Sequence, residues 1–277
     1  MDLKKKKKVK AVVIFALKLL AGLLVISPLI YCLLLSFMPQ SQINAFPPTL
    51  IPRQWTLRNY IKALEIAPLF RYLLNSLILC AIVIFTQVLF SSLAAYAFTF
   101  FKFKGKKWLF TLVLATIMIP PETTIISNYL TIHQMNLTDT YIGIAAPYLI
   151  TGMGVFLMRQ FYMTLPKELK EAATIDGCGD IQFLFRVAGP LSLPSIASLS
   201  VYTFVLTYNH YFWPLLVTND DKMRTVQIGI SMLKDNEAAD YGLVLAGAIM
   251  ILIPTVLVFI LGQKYLVKGM TAGAVKG

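Results

Sequence analysis

What most constrains this chain is a set of six apolar runs, each long enough to cross a bilayer. A spanning helix needs about 20 mostly apolar residues, and the runs fall at 19–37, 73–101, 108–130, 141–161, 191–217 and 242–261. Composition closes off the soluble alternative. Of the 277 residues, 57% are hydrophobic and 14% charged, against roughly 25% charged in an ordinary soluble domain. At a mean hydropathy of +0.71, too little polar surface exists to cover a water-soluble globule. The expected fold class is an all-α membrane protein with six transmembrane helices.

The first run comes after the basic start MDLKKKKKVK and so resembles a secretory signal. Its apolar core is longer than the usual 7–15 residues and no small-x-small cleavage site succeeds it, so a retained anchor helix is expected. Three cysteines, Cys32, Cys80 and Cys178, show no CxxC spacing; neither a disulfide framework nor a metal knuckle is supported.

The formal net charge of +12 would suggest nucleic acid in a soluble protein, but its distribution points elsewhere. With the N-terminus in the cytoplasm, segments 1–18, 102–107, 159–190 and 264–277 carry 18 Lys/Arg, and the opposite segments carry seven. That asymmetry obeys the positive-inside rule and places both termini in the cytoplasm. The basic start then reads as a topology signal touching lipid headgroups, and nucleic acid is not expected as a partner.

Several runs are interrupted. Pro120-Pro121-Glu122 breaks the third, Pro147 with Gly152 and Gly154 loosens the fourth, and Pro214 and Pro254 fall in the fifth and sixth. Membrane helices tolerate proline where neighbouring protein satisfies the freed carbonyl, so a packed bundle is expected. Small pairs such as Ser91/Ala95 and Gly242/Ala246 would permit close helix approach. No GxxxxGK[ST] phosphate loop is present, and His133 and His210 form no HExxH or Cys/His cluster. The chain is therefore read as non-enzymatic, with no metal and no catalytic residues.

The most informative segment is LPKELKEAATIDGCGDIQFLFRVAGPLSLP, residues 165–194. Pro166 suits a first helical position, and 167–175 reads as a short helix ended by Gly177. Asp180 is placed to cap a second helix over 181–188, stopped by Gly189 and Pro190. Leu169, Ala172, Ala173 and Asp176 share one face of the first helix, flat enough for another protein to approach. Phe183, Leu184, Phe185 and Val187 add apolar surface, which also permits a hairpin resting on lipid.

At these residues the chain resembles a known family. Glu171-Ala172-Ala173, then Gly177, then Val187 and Pro190 resemble the EAA motif (EAA-x3-G-x9-I-x-L-P) of permease subunits of binding-protein-dependent ABC importers. Asp176 and Pro194 fit the sugar-importer branch, while Cys178 and Gly189 depart from the pattern. Tyr208-Asn209-His210-Tyr211-Phe212-Trp213-Pro214 is similar to WNEF-x-x-P, with Tyr208 and His210 in place of Trp and Glu. The ending Thr271-Ala272-Gly273-Ala274-Val275-Lys276-Gly277 is similar to TAGGVKG of the second permease subunit of maltose-type systems.

The resemblance covers essentially the whole chain and implies a type I importer architecture in the cell membrane. It divides the chain into a basic cytoplasmic N-terminus (1–18), a six-helix permease domain (19–263) and a cytoplasmic tail (264–277). The permease domain would carry a cytoplasmic EAA loop at 165–190 and an outer loop at 218–241. The implied partners are a second permease subunit, two copies of a cytoplasmic ABC ATPase and an extracytoplasmic sugar-binding protein. ATP and Mg would sit on the ATPase, with no cofactor on this chain. Glu171, Ala172, Ala173, Asp176 and Gly177 would couple to the ATPase, and Thr271, Gly273, Lys276 and Gly277 would touch it. The outer loop would dock the binding protein. Glu122, Asn128, Tyr208, Asn209 and Trp213 are candidates for the substrate pathway, although interhelical hydrogen bonding is the more ordinary role of any one such polar group. An ion-coupled secondary transporter would need midplane carboxylates, and apart from Glu122 none lies within a run. A non-transporting scaffold would leave the helix-turn-helix unexplained.

Overall fold

The structure, a computed structural model, describes residues 3–235 and 240–271, with side-chain surroundings for 10–234 and 240–265. Among the described residues all regular structure is helical. In chain order the main elements are α1 (Leu3–Ser36), α2 (Arg58–Ile66), α3 (Leu69–Phe100), α4 (Lys106–Met118) and α5 (Pro121–Gln134). Next are α6 (Tyr141–Tyr148), α7 (Gly152–Tyr162), α8 (Lys167–Ile175) and α9 (Asp180–Leu191). Then come α10 (Leu193–Tyr208), α11 (Phe212–Val217), α12 (Val226–Asp235) and α13 (Tyr241–Thr271).

Stretches of α1, α3 and α13 are each long and apolar enough to span a bilayer unbroken. Three further pairs reach that length only together: α4 with α5 bent by 93°, α6 with α7 by 55°, and α9 with α10 by 79°. Two of these breaks, after Met118 and after Leu191, fall where prolines remove backbone donors. Pro120 and Pro121 cannot donate to the preceding turn, so a continuous helix over 108–130 gives way to two arms. The expected fifth run, 191–217, is also corrected: α10 ends at Tyr208 and α11 restarts at Phe212. Pro214 has no N–H for the carbonyl of residue 210, and its ring crowds that carbonyl.

The chain divides into two compact units, residues 1–69 with 230–252 and residues 70–229 with 253–277. In the first, Asn59 is buried and its Nδ2 donates to the carbonyls of Ser36 (2.9 Å) and Met38 (2.9 Å). The end of α1 is thereby capped from α2. Ser36 and Tyr60 share a 2.7 Å hydroxyl contact, and Phe37 packs between Tyr60 and Trp55. Gly242 lets α13 approach this knot, since a Cβ there would sit 2.6 Å from Asn59 Nδ2.

In the second unit two polar side chains tie helices together. Gln87 on α3 donates to the Tyr148 carbonyl (2.9 Å), while its Oε1 accepts from Thr203 (3.0 Å) and Thr151 (3.3 Å). Asn75 donates to the carbonyls of Lys222 (2.8 Å) and Arg224 (2.9 Å) and accepts from Tyr141 Oη. A buried amide left unpaired costs several kcal/mol in an apolar medium, so both belong to the scaffold. The C-terminal end of α3 is capped by cations: Lys106 Nζ donates to the carbonyls of Thr99 and Phe101, and Arg159 donates to Phe98. Orphan helix-end carbonyls favour such positive partners.

Candidate functional site: the hairpin between α7 and α10

Pro166 occupies the position before the first helical residue, and α8 runs Lys167–Ile175 as its spacing predicts. Its end is a Schellman closure: Cys178 N–H donates to the Ala173 carbonyl (2.8 Å) and Gly177 N–H to Thr174 (3.1 Å). Gly177 takes φ +75°, the left-handed conformation such a closure requires.

The second arm differs from the sequence expectation in two respects. Asp180 does not cap it; Gly179 holds that place and Asp180 is the first helical residue. Nor do Gly189 and Pro190 stop it, because α9 continues to Leu191. Residues Leu184–Ala188 form a π turn, with Gly189 N–H reaching back to the Leu184 carbonyl. This wider turn accommodates a proline one residue later within the helix, which a 3.6-residue reading does not foresee. The helix ends instead at Ser192, where Pro194 denies a donor to the residue 190 carbonyl. Ser192 Oγ bonds the Gly189 carbonyl at 2.9 Å.

Freed from capping, the Asp180 carboxylate binds across the hairpin. Its Oδ1 accepts from Lys170 Nζ (2.6 Å) and from Tyr96 Oη of α3 (2.7 Å). The Lys170 ammonium also lies 4.8 Å from the Phe183 ring centroid and 5.7 Å from that of Tyr96. Hydrogen bonding from Lys170 and then Tyr96 holds the Asp180 carboxyl below the usual carboxylate range. Beneath this contact Tyr96, Met158, Tyr162, Phe183, Leu184 and Leu199 form one buried cluster, against which Ala173 and Cys178 also pack. The hairpin is therefore a fixed shelf joined to α3, α7 and α10.

Its outward surface differs from a simple helical wheel. Glu171, Ala172 and Asp176 are exposed, and Ile175 is 86% exposed. Ala173 instead turns towards the buried cluster. Ile181 and Phe185 extend the exposed apolar surface onto α9, beside a groove of about 630 Å³ lined also by Gln182 and Arg186. Sequence reading missed Lys170, Asp180 and Tyr96 as a unit. Only the placement of Lys170 and Asp180 either side of a predicted turn hinted at it.

The profile of the family described as binding-protein-dependent transport system inner membrane component matches residues 87–271. The chain belongs to this family. The chain is 34% identical over 253 residues to the arabinooligosaccharides transport system permease protein of Halalkalibacterium halodurans, covering 90% of this chain and 91% of that one. It is 35% identical over 268 residues to the sn-glycerol-3-phosphate transport system permease protein of Agrobacterium fabrum, covering 93% and 95%. Its fold matches a chain in the crystal structure of a bacterial ABC transporter involved in import of the acidic polysaccharide alginate. The TM-score there is 0.81 at 20% identity, covering 94% and 97% of the two chains. The protein is a multi-pass membrane permease with an importer permease fold.

The remaining permease site candidates scatter. Glu122 is exposed in the 3-10 turn at the α4/α5 bend, and Asn128 donates weakly to Thr124 (3.4 Å) one turn earlier. Asn209 is exposed; its Oδ1 accepts from Gln227 and its Nδ2 donates to the Val205 carbonyl. Tyr208 is buried and stacks on Phe204, and Trp213 is buried with Nε1 donating to the Ile144 carbonyl (3.0 Å). Both side chains pack inside the second unit. Thr271 ends α13; Gly273, Lys276 and Gly277 lie outside the described residues, as do 236–239 of the 218–241 loop.

Proposed function

We propose that this chain is one permease subunit of an ATP-driven carbohydrate importer, forming half of the translocation pathway. It pairs with a second permease subunit, and two copies of a cytoplasmic ABC ATPase bind the hairpin side. An extracytoplasmic sugar-binding protein delivers an oligosaccharide from the opposite side. The chain carries no cofactor; ATP and Mg belong to the ATPase. Both termini face the cytoplasm, in keeping with the 18-to-7 charge distribution.

The observation that carries this reading is the outward row Glu171, Ala172, Ile175 and Asp176 on a shelf clamped to three membrane helices. Glu171 offers a carboxylate for a charge-assisted contact with a basic ATPase residue, and Ala172 leaves room for it to seat. A rigid shelf passes on motion that a loose loop would absorb, and coupling needs that contact to differ between nucleotide states. The relatives' names favour a carbohydrate or polyol-phosphate cargo. The test is uptake of labelled arabinooligosaccharide and glycerol 3-phosphate in cells expressing the system, with and without ATP depletion, alongside recovery of the ATPase on purification. Uptake that survives ATP depletion, with no ATPase recovered, overturns the importer reading.

A further inference from the structure

Between α1 and α3 the first unit exposes a dense run of apolar side chains. Phe46, Leu50, Ile51, Trp55, Leu57 and Ile61 are each between 56% and 97% exposed. Six large apolar side chains in sixteen residues form a patch beyond the scattered apolar exposure of ordinary surfaces. We infer that this segment is an interfacial anchor, its apolar side chains lying among the lipid headgroups and upper acyl chains of the leaflet at which α1 ends.

Three observations select lipid as the occupant. The first is depth. With Lys18 at the cytoplasmic boundary, residues 19–36 of α1 make about 27 Å of helix, close to the thickness of a hydrocarbon core of about 30 Å. The last turn therefore lies at the opposite membrane–water boundary. The second is tethering. Asn59 binds the carbonyls of Ser36 and Met38, and Thr56 N–H donates to Phe37 at 2.8 Å. These bonds hold Thr56 and Asn59, and with them the Trp55–Leu57 end of the segment, against that turn. The third is charge. No acidic residue occurs from Met38 to Leu64, whereas Arg53 and Arg58 are exposed beside the apolar groups. Basic side chains flanking tryptophan and aliphatic residues match phosphate headgroups above acyl chains.

The role differs from that of the hairpin. A tether at this depth fixes where α1 and α2 sit along the membrane normal, so the α1 end resists sinking or tilting when other helices move.

The experiment places the photoreactive p-benzoylphenylalanine at 46, 51 or 55 in the full chain, within the transport complex reconstituted in nanodiscs of phosphatidylethanolamine and phosphatidylglycerol. Position 221, where the Asp side chain is 68% exposed, serves as a polar comparison. Irradiation is expected to give lipid adducts at all three positions, detected by mass spectrometry, and none above background at 221. A double variant, Arg53→Glu with Arg58→Glu, should lower the adduct yield at 55 severalfold. Adducts to a second polypeptide at these positions would assign the patch to a protein partner and overturn the inference. Lipid yields no higher than at 221 would overturn it as well.

Discussion

Replacing Lys170 with methionine keeps the aliphatic stem and removes only the ammonium. Lost are the 2.6 Å contact to Asp180 and the cation near the Phe183 and Tyr96 rings. The Asp180 side chain is 49% exposed, so the ion pair is screened and contributes about 0.5–1 kcal/mol. A partly desolvated cation over an aromatic ring adds about 0.5–1 kcal/mol. The Tyr96 hydroxyl still reaches Asp180, so the hairpin loosens without detaching. A loss of about 1–2 kcal/mol raises the locally opened population roughly 5- to 30-fold. Hydrogen–deuterium exchange of the reconstituted protein reads this directly at residues 176–178, whose amides close the turn. Exchange there should accelerate by that factor, amides within α10 should not change, and Lys170→Arg should restore protection. The pH dependence has a definite sign. Because the folded Asp180 carboxyl titrates lower than in the unfolded chain, its contribution is full above the ordinary carboxylate pKa of about 4. It disappears as pH falls through the lowered folded value. Corrected protection should thus hold from neutrality to about pH 4 and fall below it. Unchanged protection in Lys170→Met would refute the reasoning.

Three further outcomes are expected. Ala172→Trp, on the outward face, should leave thermal stability unchanged while abolishing ATPase recovery; Ala173→Trp should itself lower stability by about 1–3 kcal/mol by overpacking the inner cluster. Equal melting temperatures for the two would show that the faces are misassigned. Gly152→Ala places a Cβ 2.5 Å from the Val113 carbonyl, which is backbone and cannot step aside, whereas Gly154→Ala presses hardest on the rotatable Ser91 hydroxyl, with Ser91 Cβ and Thr151 Oγ1 each at 3.3 Å. Melting in detergent should therefore fall clearly for the first and little for the second, and the reverse order would contradict the packing. Asn75→Ala strips the Lys222 and Arg224 carbonyls of their amide partner, at a cost of about 1–3 kcal/mol. Limited proteolysis between 218 and 226 should accelerate, and resistance equal to the parent would rule out Asn75 as the pin.

The parts of this fold legible in the sequence are those governed by local rules. Apolar length locates the membrane runs, Pro120-Pro121 marks a bend, and Gly177 marks the left-handed close of α8. The second hairpin arm departs from its sequence pattern because a π turn is set by tertiary packing around Leu184–Ala188 and has no residue signature of its own. Periodicity alone puts Ala173 outward, since it cannot say which side of a short helix the rest of the chain covers. Gln87 and Asn75 are visible as polar groups in apolar runs, but their partners lie 61 to 149 positions away. Tyr96 reaching Asp180 across 84 positions is of the same kind: a tertiary contact with no local trace.

The 79° bend at Ser192 has a mechanical consequence. It sets α9 almost square to α10, like a crank arm on a shaft. Twelve helical residues make an arm of about 18 Å, so a lateral push of about 3 Å at Asp180 turns the shaft by about 10°. The pivot holds because Ser192 hydrogen-bonds to the turn before it, and the shaft is gripped along its length at Ser198 by the Tyr265 carbonyl and at Thr203 by Gln87. Small displacements at the membrane surface therefore arrive in the bilayer as rotation of α10, with α3 and the end of α13 as the bearings that must yield or turn with it.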